Sequence, residues 1–230
     1  MNVHSTEESV YNSEHYSTEN IMKYLLLLLA CVGFSVGFVS CSTDEHAEED
    51  LVEFNSSAIQ AARKEKDAFF KSDPKAPLIP EQQKVFKGLR YFAPSEEFFV
   101  DAAFDQAEKP DTIIMLTSKS NDRRRYLRYG FFTFTLGDST YKLTAFKPLG
   151  EVTSALFVPF RDATNGNSTY GAGRYLDIEE EVGTDEYILD FNAAYNPYCA
   201  YNHSYSCPLV PAENILKVSI KAGEKKFGEE

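Results

Sequence analysis

The chain has 230 residues, 43% hydrophobic and 14% aromatic, with 23 basic and 35 acidic side chains. The 189 residues beyond Cys41 suffice for one domain with its own core and are too few for two comfortable ones. Six acids (Asp44, Glu45, Glu48, Glu49, Asp50, Glu53) crowd the segment just after Cys41, leaving a near-neutral body of 22 basic and 25 acidic residues. The acidity therefore belongs to a tail, which argues against a nucleic-acid partner.

Met22 to Cys41 reads as a lipoprotein signal: Lys23 supplies the charge, Leu25 to Phe38 the apolar run, and Val39-Ser40-Cys41 the cleavage site. The run is short for a membrane-spanning helix, and Gly33, Ser35 and Gly37 interrupt it. Cys41 is thus the expected lipidated residue, preferred over Cys31, and the expected partner is the membrane through that anchor. The location expected is the outer membrane, on its periplasmic or cell-surface face. Residues 1–21 hold four acids and no basic side chain, the wrong flank for secretion, so translation is expected to start at Met22. The organisation that follows is an extension over 1–21, a signal over 22–40, an acidic tether over 41–54 and a single β-rich domain over 55–230.

Asn55-Ser56-Ser57 can cap a helix, and Ala58 to Lys71 carries Ile59, Ala62, Lys66, Phe69 and Phe70 at helical spacing until Asp73-Pro74 ends it. A connector follows over Lys75 to Pro80. From Phe98 the period becomes two, with Phe98, Val100, Ala102 and Phe104 on one side. Thr112 to Thr117 is a further short run, and Tyr126 to Leu136 an aromatic strand. Gly137-Asp138 signals a two-residue hairpin into Thr140 to Phe146. Ala155 to Phe160, Arg174 to Ile178, Tyr187 to Phe191 and Leu216 to Ile220 complete about eight strands. No helical pattern separates them. The expected fold is mainly β, an antiparallel sandwich or small barrel with one N-terminal helix.

Several polar residues stand on or beside strand ends: Arg161, Asp162, Arg174, Asp190, Asn192, Asn196 and Glu213. They are the candidate ligand-binding residues, able to converge at one rim of the sheet on a small polar or anionic ligand. The competing role is a buried polar network that pins long loops. Two further alternatives are a hydrolase working through Asp162, Asp190 or Glu213, and a purely structural envelope lipoprotein. The body's single histidine, His203, lies in a loop between Cys199 and Cys207. That neighbourhood offers too few ligands for a metal, and no cofactor is called for. In an oxidising compartment the two cysteines are expected to form a disulfide. Arg123-Arg124-Arg125 is a basic run whose default role is a solvated turn; contact with acidic polysaccharide or phospholipid headgroups is the alternative.

The C-terminal third carries long specific strings. Leu189-Asp190-Phe191-Asn192-Ala193-Ala194-Tyr195-Asn196-Pro197-Tyr198-Cys199-Ala200-Tyr201, then Cys207-Pro208-Leu209-Val210-Pro211-Ala212-Glu213-Asn214, then Ile220-Lys221-Ala222-Gly223-Glu224-Lys225 follow one another. In order and spacing they resemble domain of unknown function 1684, over about residues 60–227. That resemblance implies a family and no activity.

Overall fold

The computed structural model describes residues 52–228; the signal, Cys31, Cys41 and most of the tether lie outside them. Helix α1 (Ser56–Ser72) starts where Asn55 accepts the Ala58 N–H at 2.9 Å and stops where the Asp73 N–H closes on the Phe69 carbonyl before Pro74. Where the expected connector ends, a second, shorter helix begins, α2 (Pro80–Val85), with proline at its first turn, where no amide donor is needed.

Six antiparallel strands follow: β1 (Phe99–Leu116), β2 (Arg123–Leu136), β3 (Ser139–Pro148), β4 (Ala155–Phe160), β5 (Arg174–Glu179) and β6 (Glu186–Asp190). Their order across the sheet is β5-β4-β3-β2-β1-β6. The two outer strands meet just past the end of β6, where Tyr175 and Tyr195 exchange both backbone hydrogen bonds at 2.9 and 3.0 Å. The sheet is thereby nearly closed into a barrel. Its interior is an apolar core that includes Phe132, Leu143, Leu156, Phe160, Leu189 and Phe191, all fully buried.

Two of the eight expected strands are corrected. Thr112 to Thr117 is the far half of β1 rather than a separate strand. The chain passes through Pro110 because β1 and β2 shift register between Gln106 and Asp111, so the proline's missing donor costs no ladder bond. Leu216 to Ile220 buries alternate side chains as a strand would, Leu216 and Ile220 facing in. It forms no strand; its backbone touches the extension of β4 only at a few points, among them the Leu216 N–H to the Arg161 carbonyl at 2.8 Å.

β2 bulges at Tyr129 against β3, and on its other side Tyr129 lies opposite the four extra β1 residues 107–110. Beside it Gly130 faces the interior so closely that a Cβ would lie 2.5 Å from the Phe104 ring and 2.7 Å from the Asp105 carbonyl oxygen. Neither can retreat from the packed barrel. Gly130→Ala should therefore cost on the order of 1–3 kcal/mol in urea unfolding, the usual range for an overpacked core; a change within ~0.5 kcal/mol would show that the bulge yields freely.

Candidate functional site

The seven polar residues singled out by sequence do not gather at a rim. Arg174 is fully buried, and its guanidinium donates to Asp162 Oδ2 at 2.8 Å, to the Ile220 carbonyl at 2.9 Å, to that of Ala222, and to that of Glu224 at 3.3 Å. Burial draws its pKa down, and the Asp162 charge opposes this. The other Asp162 oxygen accepts the Thr164 N–H at 2.7 Å. Asn192 is clamped to Ser95 by a pair of hydrogen bonds at 2.9 and 2.8 Å, and Asp190 accepts the Asn192 N–H. Asn196 donates to the Lys225 carbonyl at 2.8 Å, and Glu213 pairs with Arg128 at 2.9 Å. Arg161 alone is exposed with no side-chain partner among the described residues.

Asp190 and Asn192 border a small hollow of about 340 Å³ beneath α1, which the other five do not line. The three candidate carboxylates, Asp162, Asp190 and Glu213, are each engaged with a different partner. His203 is exposed in its loop and lends only its carbonyl, to Lys119.

The expected Cys199–Cys207 disulfide is likewise corrected: both are buried free thiols. The Cys199 N–H donates to Cys207 Sγ at 3.1 Å, the Cys207 N–H to Ser118 Oγ at 3.1 Å, and the Tyr170 hydroxyl stands 3.9 Å from Cys199 Sγ. Hydrogen bonds thus fix this loop where a bridge was expected to. The Cys207 thiol, aided by Tyr170 and Ser118, holds Cys199 down at about 6 against the effect of burial, and Cys207 is pushed up in turn.

The larger feature is a cleft of about 640 Å³ on the opposite face of the sheet from the barrel core. Its floor comes from β2, β4 and β5, one wall from the last turns of α1, and the other from the excursion after β6. The walls are largely aromatic and the rings touch in series. Tyr126 stacks on Phe157 at 5.6 Å, Phe157 meets Tyr175 edge-on at 4.8 Å, and Tyr175 meets Tyr195 at 5.7 Å. Across the cleft Tyr205 meets Tyr198 at 5.2 Å, and Tyr198 meets Phe70 at 6.5 Å.

Three charged side chains enter this aromatic frame. Lys66 Nζ lies 2.6 Å from the buried Glu224 carboxylate and 4.9 Å from the Tyr195 ring centre. Arg124 is held by the Ser206 carbonyl at 2.7 Å and by Asp122 at 3.3 Å. Asp177 accepts the Tyr195 hydroxyl at 2.6 Å, and desolvation keeps its carboxyl above the usual range despite that bond and Lys66. Sequence reasoning placed Lys66 in the apolar stripe of α1 and passed over Tyr126, Phe157, Tyr175 and Asp177. A usable signal was the tyrosine-rich run after Asp190, of which Tyr195, Tyr198 and Tyr205 line the cleft and Tyr201 packs beside Phe70.

A family model described as "Protein of unknown function (DUF1684)" matches residues 84–225. The chain belongs to this family. The match takes in every part of the cleft except its α1 wall. The solution NMR structure of an uncharacterized protein from Haloarcula marismortui (gene locus rrnAC0354) is 38% identical, with a TM-score of 0.59. That similarity covers 73% of this chain and 92% of the other. No curated protein matches. The strings that mark the family are also the pieces that dock on one another. Gly223, at φ +70°, packs so tightly that a Cβ would lie 2.5 Å from the Ala194 carbonyl oxygen, and the Glu224 N–H donates to that same oxygen at 2.9 Å.

The contrast between the two arginines is directly measurable. Arg174→Gln leaves Asp162 buried and unpaired and should cost about 3–5 kcal/mol. Arg161→Gln should change stability by under ~0.5 kcal/mol, as exposed substitutions do. Parallel denaturant melts check both; equal effects would mean that the buried pair is not what holds the C-terminal segment.

Proposed function

We propose that this family member is a lipid-anchored cell-envelope protein whose β domain binds a small cyclic ligand bearing an anionic group. The observation that supports it is the cleft, where a continuous series of ring faces is combined with two cationic side chains, Lys66 and Arg124. Its volume of about 640 Å³ suits a small molecule. Ring faces favour the C–H face of a sugar or a planar ring. Arg124 has donors left over from Ser206 and Asp122 for a carboxylate or phosphate. Asp177, on the open side of the cleft beside the Tyr195 hydroxyl, can accept from a ligand hydroxyl.

The envelope setting rests on the Met22–Cys41 segment alone, with Cys41 as the point of attachment. Metabolic labelling with a fatty-acid analogue should tag the wild-type chain and leave Cys41→Ala unlabelled. Label retained in that variant would move the anchor to Cys31.

For the cleft, the probes are hexose phosphates, hexuronic acids and aromatic carboxylates, screened by thermal shift against the purified chain. At a concentration one hundred times its Kd, a true ligand stabilises by about 2.7 kcal/mol. Arg124→Gln and Tyr205→Ala, both at the cleft margin, should erase the shift while leaving the unliganded melt within a few degrees. A shift that survives both substitutions would place binding elsewhere, and no shift with any probe class would remove the chemistry proposed here.

A further inference from the structure

The basic run Arg123-Arg124-Arg125 is divided by the pleat. Arg124 turns toward the cleft with Met115 and Tyr126, while Arg123 and Arg125 stand on the opposite face. Register builds two cross-strand rows there. One runs Leu209, Leu116, Arg123: Leu116 pairs with Arg123, and the Leu209 N–H donates to the Leu116 carbonyl at 2.8 Å. The other runs Ile114, Arg125, Leu149: Ile114 pairs with Arg125, whose carbonyl accepts the Leu149 N–H at 2.9 Å. The four aliphatic side chains are 62% (Ile114), 53% (Leu116), 39% (Leu149) and 38% (Leu209) exposed. Neither arginine has an ion-pair partner among the described residues; the nearby Asp122 is turned to Arg124.

Clustered exposed aliphatics need a partner surface, unlike scattered ones. Leucine and isoleucine side chains flanked by unpaired guanidinium groups match the boundary of an anionic bilayer. The aliphatic chains enter the acyl boundary there and the arginines meet the phosphates. We infer that this face of the β1–β2 hairpin is a docking surface for an anionic phospholipid membrane. The inference is independent of the cleft, and it does not require the anchor, because the patch would hold the domain to the bilayer by itself.

The chain contains no tryptophan, so a single introduced indole reports locally. The full chain carrying Cys41→Ala and Leu116→Trp is titrated with vesicles of phosphatidylglycerol and phosphatidylcholine in equal parts, and with phosphatidylcholine alone. Emission should shift to the blue only with the anionic vesicles. Adding Arg123→Glu and Arg125→Glu should weaken the response at least 25-fold, at roughly five-fold per cationic side chain. The same chain with the reporter at Asp101, an exposed position in the other half of β1, should show no shift. Because the reporter is local, insertion of the apolar 25–39 segment into vesicles does not mimic the result. Emission at position 116 that never moves would overturn the assignment and leave the face to an acidic protein surface. An equal shift with phosphatidylcholine alone, or equal shifts at positions 101 and 116, would overturn it as well.

Discussion

The Arg174 guanidinium, wholly enclosed at the start of β5, is the constraint on which the rest of the domain depends. Beyond residue 214 the chain joins no strand, yet its carbonyls are buried and need donors. Those of Ile220, Ala222 and Glu224 are the alternate carbonyls that a neighbouring strand would have taken, and Arg174 takes all three. Asp162 offsets the charge, and the Phe160 ring lies 5.2 Å from the guanidinium carbon. A side chain thus replaces a seventh strand. With the segment fixed, the Glu224 carboxylate is delivered to a point where the Asn196 N–H, the Tyr201 hydroxyl and Lys66 reach it. Lys66 belongs to α1, so the placement of the helix, and with it one wall of the cleft, follows from a buried ion pair inside the barrel.

That sequence of dependences explains which features were legible from the amino acids. Alternation located β4 to the residue and β2, β3 and β5 closely, and Gly137-Asp138 marked a true two-residue turn. Alternation records which side of a segment meets the core; it does not record what satisfies the backbone. Leu216 to Ile220 therefore has the pattern of a strand without a ladder. The polar cluster was ambiguous for a related reason. Charged residues at strand ends serve an internal network as well as a ligand, and the deciding partners of Arg174 are carbonyls, which carry no side-chain identity. The cleft was hidden because its walls come from separated parts of the chain, several of them single residues on strands whose other face was already accounted for.

The two faces of the sheet divide the work. The interior face holds the tightly packed core, where Gly130 and the bulge at Tyr129 let Phe104 approach β2. Ahead of the bulge in the chain, the β2 residues of the other face, Tyr126 and Arg124, join Phe157 and Tyr175 beneath the cleft. The pleat splits the basic run and the one extra residue decides the faces, Arg124 toward the cleft and Arg123 and Arg125 toward the hairpin's exposed side.

The α1 wall of the cleft has fewer buried side chains than the sheet beneath it. Phe70 is the only α1 residue fully buried among those described. Phe69 packs half-buried beside it, and the other attachments are mostly polar: Lys66 to Glu224, Arg63 to the Phe92 carbonyl at 2.8 Å, and Asp67 accepting the Leu89 N–H at 2.8 Å. An element held by a few polar contacts and a small aromatic cluster at one end opens at lower free energy than a barrel strand. Lys66 and Phe69, which line the cleft, lie on that element. A ligand touching them therefore adds to the attachment of α1, and whatever loosens α1 lowers affinity by the same amount, because the two equilibria share one free-energy difference. Arg174, which lines no part of the cleft, thus bears on the position of its α1 wall through Glu224.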